Sequence, residues 1–204
     1  MIVLQPVLEI HPSDGFDLWP VAAVRTSGFL PLGGALDPTQ VGTAVMRIAE
    51  CNDVAPEAES GLAGFLHGLL TMDPLFAAGG LRVTDTTTGT TLLPGCCHGL
   101  EEWRDWFEVV DGTGRASFGH DPSPMAERVG DTARLTVDAE QDASPVIELP
   151  LSHLADLLDE AERHLTGFLR LAASWADSSL PAAHAAPVLS AVARLLDLPA
   201  PPRA

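Results

Sequence analysis

The sequence predicts an α+β protein, with a mixed or antiparallel sheet packed against several helices and a helical hairpin at the C-terminus. Three observations carry that prediction. Apolar residues recur at 3–4 spacing over residues 62–70, 154–175 and 188–196, as on helices that bury one face. Short alternating runs, such as Ala133, Leu135 and Val137 between Arg134, Thr136 and Asp138, have the period of half-buried strands. Strands and helices also come in groups rather than in strict alternation, which favours α+β over a doubly wound sheet. The 204 residues predict a single domain, 1–204, with an N-terminal lobe over 1–80 and a main body over 81–198 as its subdivision. The tail 199–204, rich in Pro, is expected to fray.

Taken in order, residues 2–10 (IVLQPVLEI) read as a strand in which Pro6 favours an edge position, because it has no N–H to donate to a ladder. A second strand is expected at Leu18 to Val24. Asp37-Pro38-Thr39-Gln40 has the marks of a helix start: Asp37 as cap, Pro38 at the first position and Gln40 reaching back. Val41, Val45 and Ile48 would share its inner face; a strand over the same residues is the competing reading. From Pro56 to Leu70 a helix buries Leu62, Phe65, Leu66, Leu69 and Leu70, and a stripe of Gly61, Gly64 and Gly68 suits close packing. Leu81 to Asp85 and Thr90 to Leu93 form a hairpin through Thr86-Thr87-Thr88-Gly89. Pro94-Gly95-Cys96-Cys97-His98-Gly99 leads into a short helix, whose buried stripe at helical spacing is Leu100, Trp103, Phe107 and Val110, with Trp106 beside it. Strands at Thr132–Asp138 and Val146–Leu149 flank an acidic turn, and Pro150 stops the second. A long helix follows from Ser152 to Ala176, and a last one within Pro181 to Leu198, with Pro187 near its true start.

Composition excludes whole classes of function. All eleven basic residues are Arg, and the chain has no Lys and no Tyr. Without Lys there is no P-loop lysine, no Schiff base and no lysine general base. A formal charge of −17 argues against a nucleic-acid partner, and for the same electrostatic reason against an anionic membrane. Residues 101–162 hold sixteen acidic residues and four Arg, a net −12, whereas 163–204 are net +2. The missing Lys and Tyr fit a high-GC, actinobacterial codon usage. No apolar run reaches the roughly 18 residues of a membrane span, Met1–Ile10 follows no basic segment, and three cysteines make no disulfide scaffold, so a reducing cytoplasm is expected.

Catalytic signatures are lacking: there is no G-x-S-x-G, no H-E-x-x-H and no pair of C-x-x-C motifs, which points away from an enzyme. No cofactor is implied. Cys96, Cys97 and His98 before a helix are the local oddity, since a helix N-terminus favours a thiolate. With His120 from the loop Gly119-His120-Asp121-Pro122 they make a candidate thiol or metal site. Adjacent cysteines are poorly spaced for one tetrahedral ion, which favours the structural reading, one Cys packed inward and the other lining a turn.

An aromatic helix ends in Asp111-Gly112, followed by Phe118-Gly119-His120-Asp121, then Gly130-Asp131 before a strand, then Val146-Ile147-Glu148-Leu149 running into a Leu-rich helix. Over about residues 98–170 this resembles the SUKH-type proteins, many of them bacterial toxin-immunity proteins. The resemblance implies a non-enzymatic module that binds and neutralises another protein, commonly through an acidic surface. With the −12 segment, it makes a basic protein the expected partner and Glu101, Asp105, Trp106, Glu108 and Asp121 the candidate contacts. The alternatives are a thiol- or metal-dependent protein centred on Cys96-Cys97-His98, and a structural subunit of a larger assembly.

Overall fold

In the computed structural model, residues 1–13, 15–54 and 61–201 are described. The elements run β1 (Ile2–Ile10), β2 (Gly28–Pro31), α1 (Pro38–Cys51), α2 (Gly61–Thr71), β3 (Gly79–Asp85) and β4 (Thr90–Leu92). A 3₁₀ helix (Leu100–Trp106) then passes directly into α3 (Phe107–Val110). Strands β5 (Arg115–Ser117), β6 (Met125–Val129), β7 (Thr132–Thr136) and β8 (Val146–Pro150) follow, then α4 (Leu151–Ser179) and α5 (Ala182–Leu195). The class is α+β, with a C-terminal helix pair. No helix among the described residues is long and apolar enough to cross a membrane.

The chain forms two compact units, each drawn from two stretches: Met1–Val7 with Ala78–His164, and Leu8–Ala77 with Leu165–Ala204. One boundary falls inside β1, one between α2 and β3, and one inside α4. One four-stranded sheet has the order β2-β1-β3-β4 and the other β5-β6-β7-β8. Pro6 therefore lies in an inner strand and not at the edge its missing N–H suggests.

In the first unit, the hairpin of β3 and β4 pairs Val83 with Leu92 and Asp85 with Thr90, and Gly89 in its turn has φ 77°. The second sheet is a meander. Its central register sets Ala133 opposite Leu149 and Leu135 opposite Ile147, all four buried, with the charged Arg134 and Glu148 paired on the other face. Pro150 is the last residue of β8, as its missing donor predicts.

The short aromatic helix corrects the sequence reading. Its first seven residues are 3₁₀, so residues three apart eclipse one another. The buried row becomes Leu100, Trp103, Trp106 and Val109, in place of the Leu100, Trp103, Phe107, Val110 stripe that an α-helical period predicts. Trp106 moves from the margin to the centre and is wholly buried.

In the second unit, α1 begins as expected: Asp37 accepts from the Thr39 and Gln40 amides at 2.8 and 3.0 Å, and the Gln40 side chain accepts from the Asp37 amide at 3.0 Å. Both directions of the capping box are closed. Val41 to Ala49 are all buried, so α1 is enclosed on every side. The strand expected at Leu18–Val24 does not form. Within that segment the Ala22 amide turns to α1, donating to the Thr39 carbonyl and the Thr43 hydroxyl. Trp19 is buried with its indole N–H on the Gly42 carbonyl at 2.9 Å. Helix α2 is seen from Gly61; the first turn expected from Pro56 and the tail beyond residue 201 lie outside the described residues. The close packing expected of its glycine stripe holds at Gly68, where a Cβ would stand 1.7 Å from the Asn52 carbonyl oxygen. Helix α5 starts one turn before Pro187 and carries that proline inside it.

Candidate functional site

Two features of the first unit bear on function: a cluster of thiols and imidazole, and a row of carboxylates. The cluster is built by backbone pairing between segments far apart in sequence. The Gly95 amide donates to the Phe118 carbonyl at 2.8 Å, and Cys96 and His120 exchange both of their backbone hydrogen bonds, at 2.5 and 3.2 Å. A directly opposed antiparallel pair of this kind sends its side chains to the same face. Two glycines allow the approach. A Cβ on Gly95 would lie 2.3 Å from the Pro122 oxygen, and one on Gly119 would lie 2.6 Å from the Cys96 oxygen.

Cys97 adds the third donor. At φ 61° it is in the left-handed region, where a non-glycine residue costs about 1–2 kcal/mol. An extended Cys97 would point away from Cys96; here the turn brings the two Sγ atoms to 3.5 Å. One ligating atom each from Cys96, Cys97 and His120 lies within 4.8 Å of the others, and all three residues are exposed. The Cys96 thiol is held above its ordinary range by its hydrogen bond to the Cys97 thiol and then by the charge of Cys97. His120 Nδ1 meets the Asp121 carboxylate at 3.3 Å.

His98 does not join this cluster. It is 4% exposed, with Nδ1 at 2.8 Å from Glu102 and its ring edge-on to Phe118, 5.6 Å between centroids. Gly80 makes room for it, since a Cβ there would stand 2.8 Å from the imidazole. Burial lowers the His98 pKa despite the opposing charges of Glu102 and Asp105. Its Nε2 is buried and has no hydrogen-bond partner among the described residues. The expected site of Cys96, Cys97, His98 and His120 thus resolves into three surface donors and one internal histidine that ties the loop to the 3₁₀ helix.

The carboxylate row is a product of the same 3₁₀ helix. If Leu100, Trp103 and Trp106 share one row, then Glu102 and Asp105 share another, and Glu108 continues it into α3. All three are exposed. Their proximity is felt electrostatically: the Asp105 carboxyl is pushed above its ordinary range by partial desolvation first, then by Glu102 and Glu108. Glu102 also accepts from the Gly99 amide, and Glu108 from the Thr113 amide at 3.1 Å, so both ends of the row are fixed to backbone. The opposite face is anchored by Trp106, stacked on Phe118 with centroids 4.1 Å apart and planes 8° apart. Arg104 lies over the Trp103 ring at 4.3 Å and pairs with Glu162 at 3.4 Å.

Of the residues singled out for partner contact, Asp105 and Glu108 belong to this row, Glu101 is half-buried, and Asp121 accompanies His120. Trp106 is 0% exposed and offers no surface to a partner. Glu102 is the member of the row absent from the sequence-derived candidates: an α-helical period groups Glu101, Asp105 and Glu108 at i, i+4 and i+7, whereas a period of three aligns Glu102 with Asp105 and Glu108. No protein-family model, curated protein or solved structure matches the chain.

Proposed function

We propose that this chain is a protein-binding module whose partner is a basic protein, engaged through the carboxylate row Glu102, Asp105 and Glu108, as expected of an immunity-type protein that neutralises a basic toxin or enzyme. The observation that carries the reading is that three like charges are held in line on a segment whose other face is locked by Trp103 and Trp106. A row pre-ordered in this way loses little side-chain freedom on binding, and it presents a negative potential that steers a positive surface into register. Its neighbours reinforce the sign, because residues 101–162 are net −12.

Capture from extracts of the source cell tests the reading. The wild-type chain and a Glu102→Gln/Asp105→Asn/Glu108→Gln variant are immobilised side by side, at low and at high salt. Glutamine at 102 keeps an oxygen for His98. The expected result is a basic protein retained by the wild type at low salt and released by high salt or by neutralising the row. Equal retention by both chains, or none by either, refutes it.

A further inference from the structure

Exposed, adjacent cysteines paired across a bridge with a histidine are not needed by the docking row, and packing does not explain them, since both thiols lie at the surface. We propose that Cys96, Cys97 and His120 form a three-donor site for a thiophilic metal ion of the class of Zn²⁺, with a fourth position left to water or an incoming ligand.

The donor set selects the class of ion. Thiolate and imidazole suit Zn²⁺ and other soft or borderline ions, whereas Mg²⁺ and Ca²⁺ require oxygen ligands. The geometry meets the usual objection to adjacent cysteines. At a Zn–S distance of about 2.3 Å, sulfurs 3.5 Å apart subtend about 99° at the ion, so a few tenths of an ångström of further opening reaches the tetrahedral angle. The 4.8 Å limit on the donor separations leaves at most about 1.3 Å to be closed against the ~3.5–3.8 Å edges of a tetrahedral site. All three side chains are exposed and have room to make that adjustment by rotation about their χ angles.

Two further observations fit a metal. Asp121 meets His120 Nδ1 at 3.3 Å, so an ion taken at Nε2 would have the carboxylate–imidazole arrangement that orients metal-binding histidines. The frame is also fixed before any ion arrives, by the reciprocal Cys96–His120 backbone bonds and by Phe118, buried against Trp106 two residues before His120. A fourth position open to solvent is the pattern of sites that exchange a ligand.

The test uses the full chain, kept reduced with a phosphine and stripped of metal, titrated with Zn²⁺ against a chromophoric chelator and separately with Co²⁺. One equivalent of Zn²⁺ per chain is expected, and Co²⁺ should give thiolate-to-cobalt charge-transfer absorption. Cys96→Ser/Cys97→Ser abolishes that absorption and lowers Zn²⁺ affinity by at least about 100-fold, while Asp121→Asn lowers it by about 10-fold, as loss of an orienting group does. Cys51→Ser, in the other unit, changes neither. Thiol alkylation of the folded Cys51→Ser protein gives the same loss without relying on the folding of the double variant. Failure to saturate at one equivalent, or equal Zn²⁺ affinity with and without the two thiols, overturns the site. Because the carboxylate row is no part of this titration, the outcome is separate from that of the capture experiment.

Discussion

Replacing Trp106 distinguishes a core tryptophan from a docking one, and the structure sets the magnitude. Its side chain is wholly buried and stacked on Phe118 at 4.1 Å. Truncation to Ala empties that volume, which typically costs about 3–5 kcal/mol, and removes a stacked pair worth about 0.5–1.5 kcal/mol more. Against this, the indole Nε1 is buried with no hydrogen-bond partner among the described residues, and deleting it relieves about 1–3 kcal/mol. Taking the middle of each range, the net loss for Trp106→Ala is about 3 kcal/mol. Trp106→Phe keeps a ring against Phe118 and sheds the same unsatisfied N–H, so it should stay within about 1 kcal/mol of the wild type. Equilibrium urea unfolding, followed by far-UV circular dichroism, reads both values from the shift in midpoint at constant slope. A loss below about 0.5 kcal/mol for Ala is what a surface residue gives. That result, or a Phe variant as damaged as the Ala one, would refute the packing argument.

Asn52 is the polar counterpart in the second unit. It is 1% exposed, donates to the carbonyls of Ile48 and Phe76 at 2.7 Å each, and accepts from the Phe76 amide at 2.9 Å. Asn52→Ala leaves both Phe76 groups without that partner and should cost about 2–5 kcal/mol in urea unfolding, whereas exposed Asp53→Ala should change stability by less than about 0.5 kcal/mol. For Asp105 the sign is opposite. A carboxyl whose pKa is raised on folding is penalised in its ionised form, and the penalty is present above the folded pKa and gone below the unfolded value near 3.9. Asp105→Asn should therefore stabilise the chain at pH 7, by no more than about 0.5 kcal/mol after solvent screening, and have no effect near pH 3. Denaturant unfolding of both chains at the two pH values checks it, and destabilisation at pH 7 would contradict the like-charge row.

Local rules recovered much of this fold because they act over a few residues. The capping box at Asp37 and Gln40, the hairpin at Thr86–Gly89 and the apolar spacing of α4 need no knowledge of the rest of the chain. What escaped them depended on choices made elsewhere. A strand at Leu18–Val24 has the right residues, but its Ala22 amide is taken by α1 and its Trp19 indole by the Gly42 carbonyl. The tightening of Leu100–Trp106 to 3₁₀ shifts Trp106 inward and lines up Glu102 with Asp105, and composition alone does not distinguish a period of 3.0 from one of 3.6 over seven residues. The thiol cluster is the clearest case. Cys96 and His120 are 24 residues apart in sequence, and only their cross-strand pairing, together with the left-handed Cys97, brings the three donors to one place.

In the proposed reading, the row of Glu102, Asp105 and Glu108 is an electrostatic docking surface. Its most direct test is the association rate between the chain and its captured partner, measured against ionic strength for the wild type and for the variant neutralised at all three positions. Steering by the row predicts that the wild-type rate falls steeply with added salt, and that the variant is slower at low salt with a flatter dependence, the two converging when salt screens the charges. Identical rates and identical salt slopes for the two chains would contradict it.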